Sequence, residues 1–154
     1  MFKHILVPVD GSATSMLAVT KAAELAKAFG SEVTAVYVLD PYPFTGVGAD
    51  FAYGQAQYLS AATAEANKAL EDVQKTMADA GVAVKTLVGE GHAVHEGIAR
   101  VGENVGADLI VMGSHGHGSL MNLVTGSVTT QVLARCKAPV LLVRASDGPP
   151  VPAG

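Results

Sequence analysis

Residues 109–128 read LIVMGSHGHGSLMNLVTGSV, a short apolar run followed by four glycines. An uninterrupted aliphatic run ended by glycine is typical of a strand buried on both faces of a parallel sheet. Beyond the glycines, a set of apolar residues at helical spacing predicts a helix; these are Val128, Val132, Leu133 and Cys136. The stretch therefore predicts the strand, the loop and the helix of a βαβ unit.

The same alternation of strand and helix patterns continues on the N-terminal side and after residue 136. Further apolar runs predict strands at residues 5–9, 33–39, 82–88 and 139–143. A helix is predicted after Ser12, with Ala18, Ala22, Leu25 and Phe29 on its apolar face and Gly30 at its end. Two more helices are predicted, one with an apolar stripe from Leu59 to Met77 and one from about His95 to Val105.

Two connections are predicted from their composition. Residues Asp40 to Gly54 are rich in proline, glycine and aromatic residues and predict a long loop. Gly89–Glu90–Gly91 predicts a tight turn. The proline- and glycine-rich end of the chain, residues 146–154, predicts a disordered tail after one domain formed by residues 1–145.

Strands that alternate with helices predict an α/β fold with a doubly wound, five-stranded parallel sheet and helices on both faces. We expect the strand order 3-2-1-4-5, in which strands 1 and 4 are neighbours where the winding reverses. Ligands of such sheets bind outside the carboxyl ends of the strands at that point. Asp10, after strand 1, and Gly113, after strand 4, are therefore expected at the ligand site.

Length, charge and cysteine content exclude several functional classes. The chain has 154 residues with a net charge of -4, and its ten Lys and Arg are scattered, which argues against nucleic-acid binding. No apolar run approaches the roughly 20 residues of a membrane span, and the first residues do not form a signal peptide. With Cys136 as its one cysteine, the chain is expected in the cytoplasm.

The glycines of the 113–127 loop fit an anion site. Glycine lets backbone amides approach and surround a phosphate, and a following helix N-terminus adds partial positive charge. The alternative is that these glycines only permit tight turns. No Walker A sequence occurs, and the loop does not follow the first strand as a dinucleotide fingerprint does.

The spacing Gly113-x-x-Gly116, nine residues, then Gly126–Ser127 resembles the ATP-binding motif of the universal stress protein family. The opening segment that ends in Val9–Asp10–Gly11–Ser12 and the closing segment 138–143 are also similar to that family. The resemblance covers about residues 2 to 144. It implies ATP, with or without Mg²⁺, as the ligand, and it implies nucleotide contacts from Pro8, Val9, Asp10, Val38, Met112, Gly113, Gly116, His117, Gly126, Ser127 and Val128.

His117 departs from the family pattern, in which lysine or arginine is frequent at this position. Since a histidine with an ordinary pKa of about 6.5 is mostly neutral at pH 7, we expect a phosphate affinity that depends on pH.

Several residues have simpler interpretations. Asp10 could cap the first helix, although the resemblance favours ligand contact. His115 and His117, or His92 and His95, supply too few ligands for a structural zinc site, and no metal is expected. Cys136 is interpreted as a core residue, and no nucleophile elbow supports Ser114 as a catalytic residue, so no catalytic residue is assigned.

The last strand, Val140–Leu141–Leu142–Val143, is apolar and predicted at the sheet edge. An exposed edge of this kind invites pairing with another chain, and the family resemblance implies a homodimer formed there. The first functional hypothesis is an ATP-binding regulatory module of stress response with an unknown protein partner. The alternatives are a slow ATPase, and a nucleotide-free interaction module that uses residues 40–54 as its partner surface.

Overall fold

Five parallel strands form the centre of the molecule, as the apolar runs predict. The computed structural model describes residues 2–40, 48–114 and 127–144. The elements are β1 (His4–Pro8), α1 (Ala13–Phe29), β2 (Glu32–Leu39), α2 (Ala49–Asp79), β3 (Val84–Glu90), α3 (Val94–Val105), β4 (Leu109–Gly113), α4 (Ser127–Arg135) and β5 (Val140–Val143). The strand order is β3-β2-β1-β4-β5 with every pairing parallel, which confirms the predicted topology.

The core lies in two layers, one on each face of the sheet. Alternate residues of each strand point to opposite faces, so Ile5 and Val7 of β1 pack under α1 and α2 while Leu6 packs under α3 and α4. All three side chains are fully buried. Because both faces are covered, the strands are continuous apolar runs, and this is the pattern that made them recognisable.

The predicted helix ends are confirmed where capping residues define them. Ser12 is the N-cap of α1, and its side chain accepts a hydrogen bond from the Ser15 amide. Gly30 ends α1 in the left-handed conformation, with φ of 66°. Val73 and Met77 of the predicted α2 stripe are fully buried against the sheet.

The boundaries of α2 and β3 differ from the prediction. The helix α2 begins at Ala49, inside the predicted 40–54 loop, while residues 41–47 lie outside the described part of the chain. The strand β3 extends to Glu90, so Gly89–Glu90 is not part of a turn. Gly89 pairs with Val38, and a Cβ at Gly89 would lie 3.1 Å from Val36 Cγ2, so close packing explains this glycine.

Among the residues predicted on apolar helix faces, two are exposed and a third lies beyond the end of its helix. Phe29 is 41% exposed and contacts Phe2 edge-on, with ring centroids 5.6 Å apart. Leu133 is also exposed, and Cys136 follows α4 and is half-buried against the α3 and α4 layer. The predicted tail, residues 146–154, lies outside the described residues, and the domain boundary at residue 145 stays a prediction.

Asp108 joins the amino ends of the two central strands. Its carboxylate accepts hydrogen bonds from the amides of Lys3, at 2.8 Å, and His4, at 2.9 Å. These two bonds hold the pKa of Asp108 below its usual value. The contact fixes β1 beside β4, and so determines where their carboxyl ends meet.

Candidate functional site

The carboxyl ends of β1 and β4 lie side by side at the point where the winding of the sheet reverses. β1 pairs with β2 on one side and with β4 on the other, with Leu6 opposite Ile110. The chain leaves β1 into α1 on one face, and α4 packs on the opposite face. The structure therefore confirms that the segments carrying Asp10 and Gly113 follow neighbouring strands, where the topology predicts a ligand site.

The turn after β1 is held by its own side chains. The Ser12 amide donates to Asp10 Oδ1 at 2.9 Å, and the Ser15 hydroxyl donates to the Ser12 carbonyl at 2.9 Å. Gly11 has a φ of +83°, which disfavours any residue with a side chain there. Since Ser12 caps α1, Asp10 is not the helix cap. Its carboxylate shapes the turn at the crevice.

Val9 and Val38, both expected beside a nucleotide base, point to opposite faces of the sheet. Val9 packs in the α1 and α2 layer and Val38 in the α3 and α4 layer, and both are more than nine-tenths buried. The strands do bring their main chains together, because the Val9 amide donates to the Val36 carbonyl at 2.8 Å. Pro8, the buried last residue of β1, pairs with Val36.

Gly113 is in direct contact with the first turn of α1. A Cβ at Gly113 would lie 2.7 Å from Thr14 Cγ2 and 3.1 Å from the carbonyl carbon and oxygen of Thr14. Its φ is not in the left-handed region, so the packing of α1 on β4 requires the glycine. The preceding Met112 is buried in the α3 and α4 layer.

The rest of the predicted phosphate loop is only partly described. Gly116, His117 and Gly126 lie outside the described residues. Ser127 is the first residue of α4, and Val128 is half-buried against the α3 and α4 layer. The helix N-terminus expected at the end of the loop is therefore confirmed, on the α3 and α4 face.

Ser114 is a polar residue of the crevice that the sequence did not single out for ligand binding. It is 2% exposed, and its hydroxyl has no hydrogen-bond partner among the residues described. Its amide donates to the Val143 carbonyl of β5 at 3.0 Å. No signal in the sequence marks this burial, because it depends on the contacts of Gly113 with Thr14 and on the pairing of β4 with β5.

Tyr37 is another polar residue near Asp10, and the sequence pattern does not mark it. Burial raises the pKa of the Tyr37 phenol, and the charges of Glu65 and Asp10 and the nearby Tyr58 raise it further. The phenol is therefore neutral at physiological pH and keeps its proton as a hydrogen-bond donor. Nothing in the β2 sequence distinguishes this tyrosine from a core aromatic residue.

The described residues contain neither a group of metal ligands nor a cysteine activated as a nucleophile. They contain no group of three or more His, Cys, Asp or Glu side chains that could hold a metal ion. His92 instead pairs with Asp40, with Nδ1 and Oδ2 2.9 Å apart. Burial, and then the charge of Glu103, raise the pKa of the Cys136 thiol, which makes it a poor nucleophile.

A separate cavity lies near the amino ends of β4 and β5, at the end of the sheet opposite to Asp10 and Gly113. Its volume is about 150 Å³, and it is lined by Ala99, Gly102, Glu103, Gly106, Ala107, Ile110, Cys136, Lys137 and Ala138. The lining is mostly apolar. None of the residues predicted to contact a nucleotide lines this cavity.

No helix of the described segments is long and apolar enough to cross a membrane.

Comparison with known proteins gives consistent matches over nearly the whole chain. Residues 1–144 match the model of the universal stress protein family. Universal stress protein MJ0531 of Methanocaldococcus jannaschii is 37% identical over 144 residues, which are 94% of this chain and 83% of that protein. The structure of MJ0577 from the same organism superposes with a TM-score of 0.82 at 30% identity, covering 96% of this chain and 99% of that one.

One further neighbour was solved with a nucleotide. It is a universal stress protein in complex with cAMP, 26% identical, with a TM-score of 0.72 and coverage of 94% of this chain and 99% of that chain.

Proposed function

The chain belongs to the universal stress protein family, and we propose that it is an ATP-binding regulatory protein that acts as a nucleotide-dependent switch or sensor in the stress response. The observation that carries the proposal is the meeting of the Asp10 turn with the start of the glycine loop where the sheet reverses its winding. A neighbour of the same fold that holds cAMP supports a nucleotide as the class of ligand. The reducing cytoplasm, suggested by the single cysteine, is the proposed location.

The proposed site has a nucleoside half and a phosphate half. Asp10 and the neighbouring main chain of Pro8, Val9 and Val38 would hold the nucleoside, with the Tyr37 phenol as a further donor. The phosphates would lie against the loop and the start of α4. Met112, Gly113, Gly116, His117, Gly126, Ser127 and Val128 are the proposed residues of this phosphate half. Amides at a helix N-terminus suit phosphate oxygens, and Mg²⁺ would enter with the phosphates and not through a protein metal site.

Calorimetric titration of ATP with Mg²⁺, followed by analysis of the cell contents for ADP, tests this function. We expect micromolar binding and unchanged ATP. The variant Asp10→Asn keeps an oxygen that can accept from the Ser12 amide but removes the charge. It should weaken ATP binding about tenfold, because hydrogen bonds to charged groups contribute about 1.5–3 kcal/mol. Absence of ATP binding by the folded wild-type protein would overturn the proposal.

Slow ATP hydrolysis is the second candidate function. Hydrolysis needs a positioned water and compensation of charge at the γ-phosphate, and the loop contains no lysine. Steady release of ADP in the same titration, reduced in Asp10→Asn at subsaturating ATP, would establish the enzyme in place of the switch.

A pH-dependent affinity is expected from His117. Protonation below about pH 6.5 adds a positive charge beside the phosphates, so ATP should bind more tightly at pH 6 than at pH 8. In the control His117→Gln, the difference in affinity between pH 6 and pH 8 should shrink to the part caused by protonation of ATP. Equal affinities of the wild-type protein at both pH values would contradict the expectation.

A homodimer through β5 is proposed as the assembly. β5 pairs with β4 on one edge, no described strand covers its other edge, and Leu141 is 38% exposed. Such an apolar edge is a template for pairing with a second copy. Sedimentation equilibrium should give a particle of twice the chain mass of 15.7 kDa, and a monomer at high micromolar concentration would exclude this assembly.

A further inference from the structure

The cavity near the amino ends of β4 and β5 is open because the residues around it are small. Its volume is about 150 Å³, and five of its nine lining residues are glycine or alanine. A hollow of this size forgoes the contacts that larger side chains would make there. The small residues are Ala99, Gly102, Gly106, Ala107 and Ala138.

Gly102, in the interior of α3, lines the cavity without a structural reason among the residues described. Its φ lies outside the left-handed region, so its backbone conformation suits any residue. Among the described atoms outside the helix backbone, a Cβ there would meet Leu6 Cδ2 alone, at the ordinary contact distance of 3.5 Å. Alanine would therefore fit, and it would strengthen the helix, because glycine is the poorer helix former.

Two other glycines at α3 do have structural reasons. A Cβ at Gly97 would lie 2.6 Å from Val38 Cγ1, so close packing requires that glycine. Gly106 ends the helix in the left-handed conformation, with φ of 69°, which favours glycine. Gly102 shares neither reason, and a glycine inside a helix usually has a packing or a functional role. Its effect here is to leave space open at the cavity.

The lining of the cavity favours an apolar, uncharged molecule. Ile110 is 1% exposed, and Cys136 is half-buried. Burial raises the pKa of the Cys136 thiol and the charge of Glu103 raises it further, so the thiol stays neutral and presents a polarisable sulfur. Glu103 and Lys137, both exposed, carry opposite charges, so together they give a charged ligand no net attraction.

The volume of the cavity limits the size of the molecule. Sites for drug-sized ligands have volumes of about 300–1,000 Å³, so this cavity is too small for a nucleotide. An apolar cavity of about 150 Å³ can hold a molecule such as benzene. The ligand therefore belongs to a different chemical class from the nucleotide proposed at the other end of the sheet.

We propose that this cavity is a second binding site, separate from the nucleotide site, for an uncharged aromatic molecule about the size of one benzene ring. The ring would pack against Ile110 and the Cys136 sulfur and take the space left open beside Gly102. Contacts between sulfur and aromatic rings are favourable, which selects an aromatic molecule over an aliphatic one of the same size.

The reactivity of one thiol reports on this cavity, because Cys136 is the chain's one cysteine and lines it. The probe is benzene close to its solubility limit, and the readout is the rate at which dithionitrobenzoate reacts with the native protein. Benzene should slow this reaction at least about threefold, because the thiol is protected in the occupied fraction. Benzoate, which carries a charge on the same ring, is the control ligand and should leave the rate unchanged.

Three variants connect the protection by benzene with the cavity. Ala99→Leu fills the space with a side chain and should abolish the protection. Gly102→Ala should reduce it and raise the melting temperature by about 2–4 °C, as expected when a helix glycine is replaced in a domain of this size. Ala64→Leu, at an exposed position of α2 on the other face of the sheet, is the matched control and should keep the protection.

The ratio of the reaction rates with and without benzene decides the proposal. Equal rates in the wild-type protein, or protection retained in a folded Ala99→Leu variant, would overturn the site. Equal protection by benzene and benzoate would overturn the uncharged class of ligand. If Ala99→Leu does not fold, Gly102→Ala carries the test, and undiminished protection in that variant overturns the proposal. A lower melting temperature in Gly102→Ala would show that the fold requires this glycine, against the role assigned to it.

Discussion

Replacing Gly113 by alanine is expected to weaken ATP binding at least about tenfold and to destabilise the protein by about 1–3 kcal/mol, the usual cost of overpacking. The new Cβ would lie 2.7 Å from Thr14 Cγ2 and 3.1 Å from the Thr14 carbonyl group. Rotation of the Thr14 side chain relieves only the first contact, because the carbonyl group belongs to the main chain. The first turn of α1 must move, and it carries the Asp10 turn with it.

The variant Gly106→Ala is the matched control for this experiment. Gly106 has a φ of +69°, and a Cβ there would meet no atom within 4 Å. Alanine should therefore lower the free energy of unfolding by about 1–2 kcal/mol through backbone strain alone. This strain would lie at the amino end of the sheet, away from Asp10. Urea unfolding and ATP titration of both variants give the comparison. Equal ATP affinity in Gly113→Ala and the wild-type protein would show that the packing of α1 on β4 does not shape the site.

Gly97→Ala is expected to destabilise the protein by about 1–3 kcal/mol and to weaken binding of both ATP and adenosine. A Cβ at Gly97 would lie 2.6 Å and 2.9 Å from the two γ-carbons of Val38. The helix α3 therefore presses directly on the end of β2, where the nucleoside is proposed to bind. Because the two shortest contacts are made to a side chain, a second substitution can remove them and leave only the Glu90 carbonyl oxygen, at 3.3 Å.

The double variant Gly97→Ala/Val38→Ala tests this contact. Its loss of unfolding free energy should be smaller than the sum of the losses in the two single variants by at least about 1 kcal/mol, since Val38→Ala removes both γ-carbons. Urea unfolding of the wild-type protein and the three variants gives the coupling. Additive effects of the two substitutions would mean that α3 shifts as a whole and does not define the position of Val38.

The sheet was predictable because its strands are covered on both faces. Continuous apolar runs fixed the number of strands, and the handedness of parallel crossovers limited their order. The start of α2 was missed because the composition of residues 40–54 resembles a loop, yet Gly54 lies in the helix with no atom near its Cβ position. The end of β3 was missed because Gly89 is a packing glycine and not a turn residue.

The neighbouring strands at the proposed site were predictable, but the directions of its side chains were not. The reversal of winding predicted that β1, which leads to Asp10, lies beside β4, which ends at Gly113, and the structure confirms this pairing. That Val9 and Val38 point to opposite layers depends on the register of β1 and β2, which the sequence does not reveal. The burial of Ser114 depends in the same way on the contacts of Gly113 with Thr14 and on the pairing of β4 with β5.

The most direct test of the site is the backbone amide NMR spectrum recorded with and without saturating ATP. We predict the largest shifts at the carboxyl edge of the sheet, at Asp10, Gly11, Ser114 and Val128, and small shifts at the opposite edge. The cavity there, represented by Gly106 and Lys137, serves as the internal reference. Shifts concentrated around that cavity, with Asp10 and Ser114 unchanged, would show that ATP does not bind where β1 and β4 end.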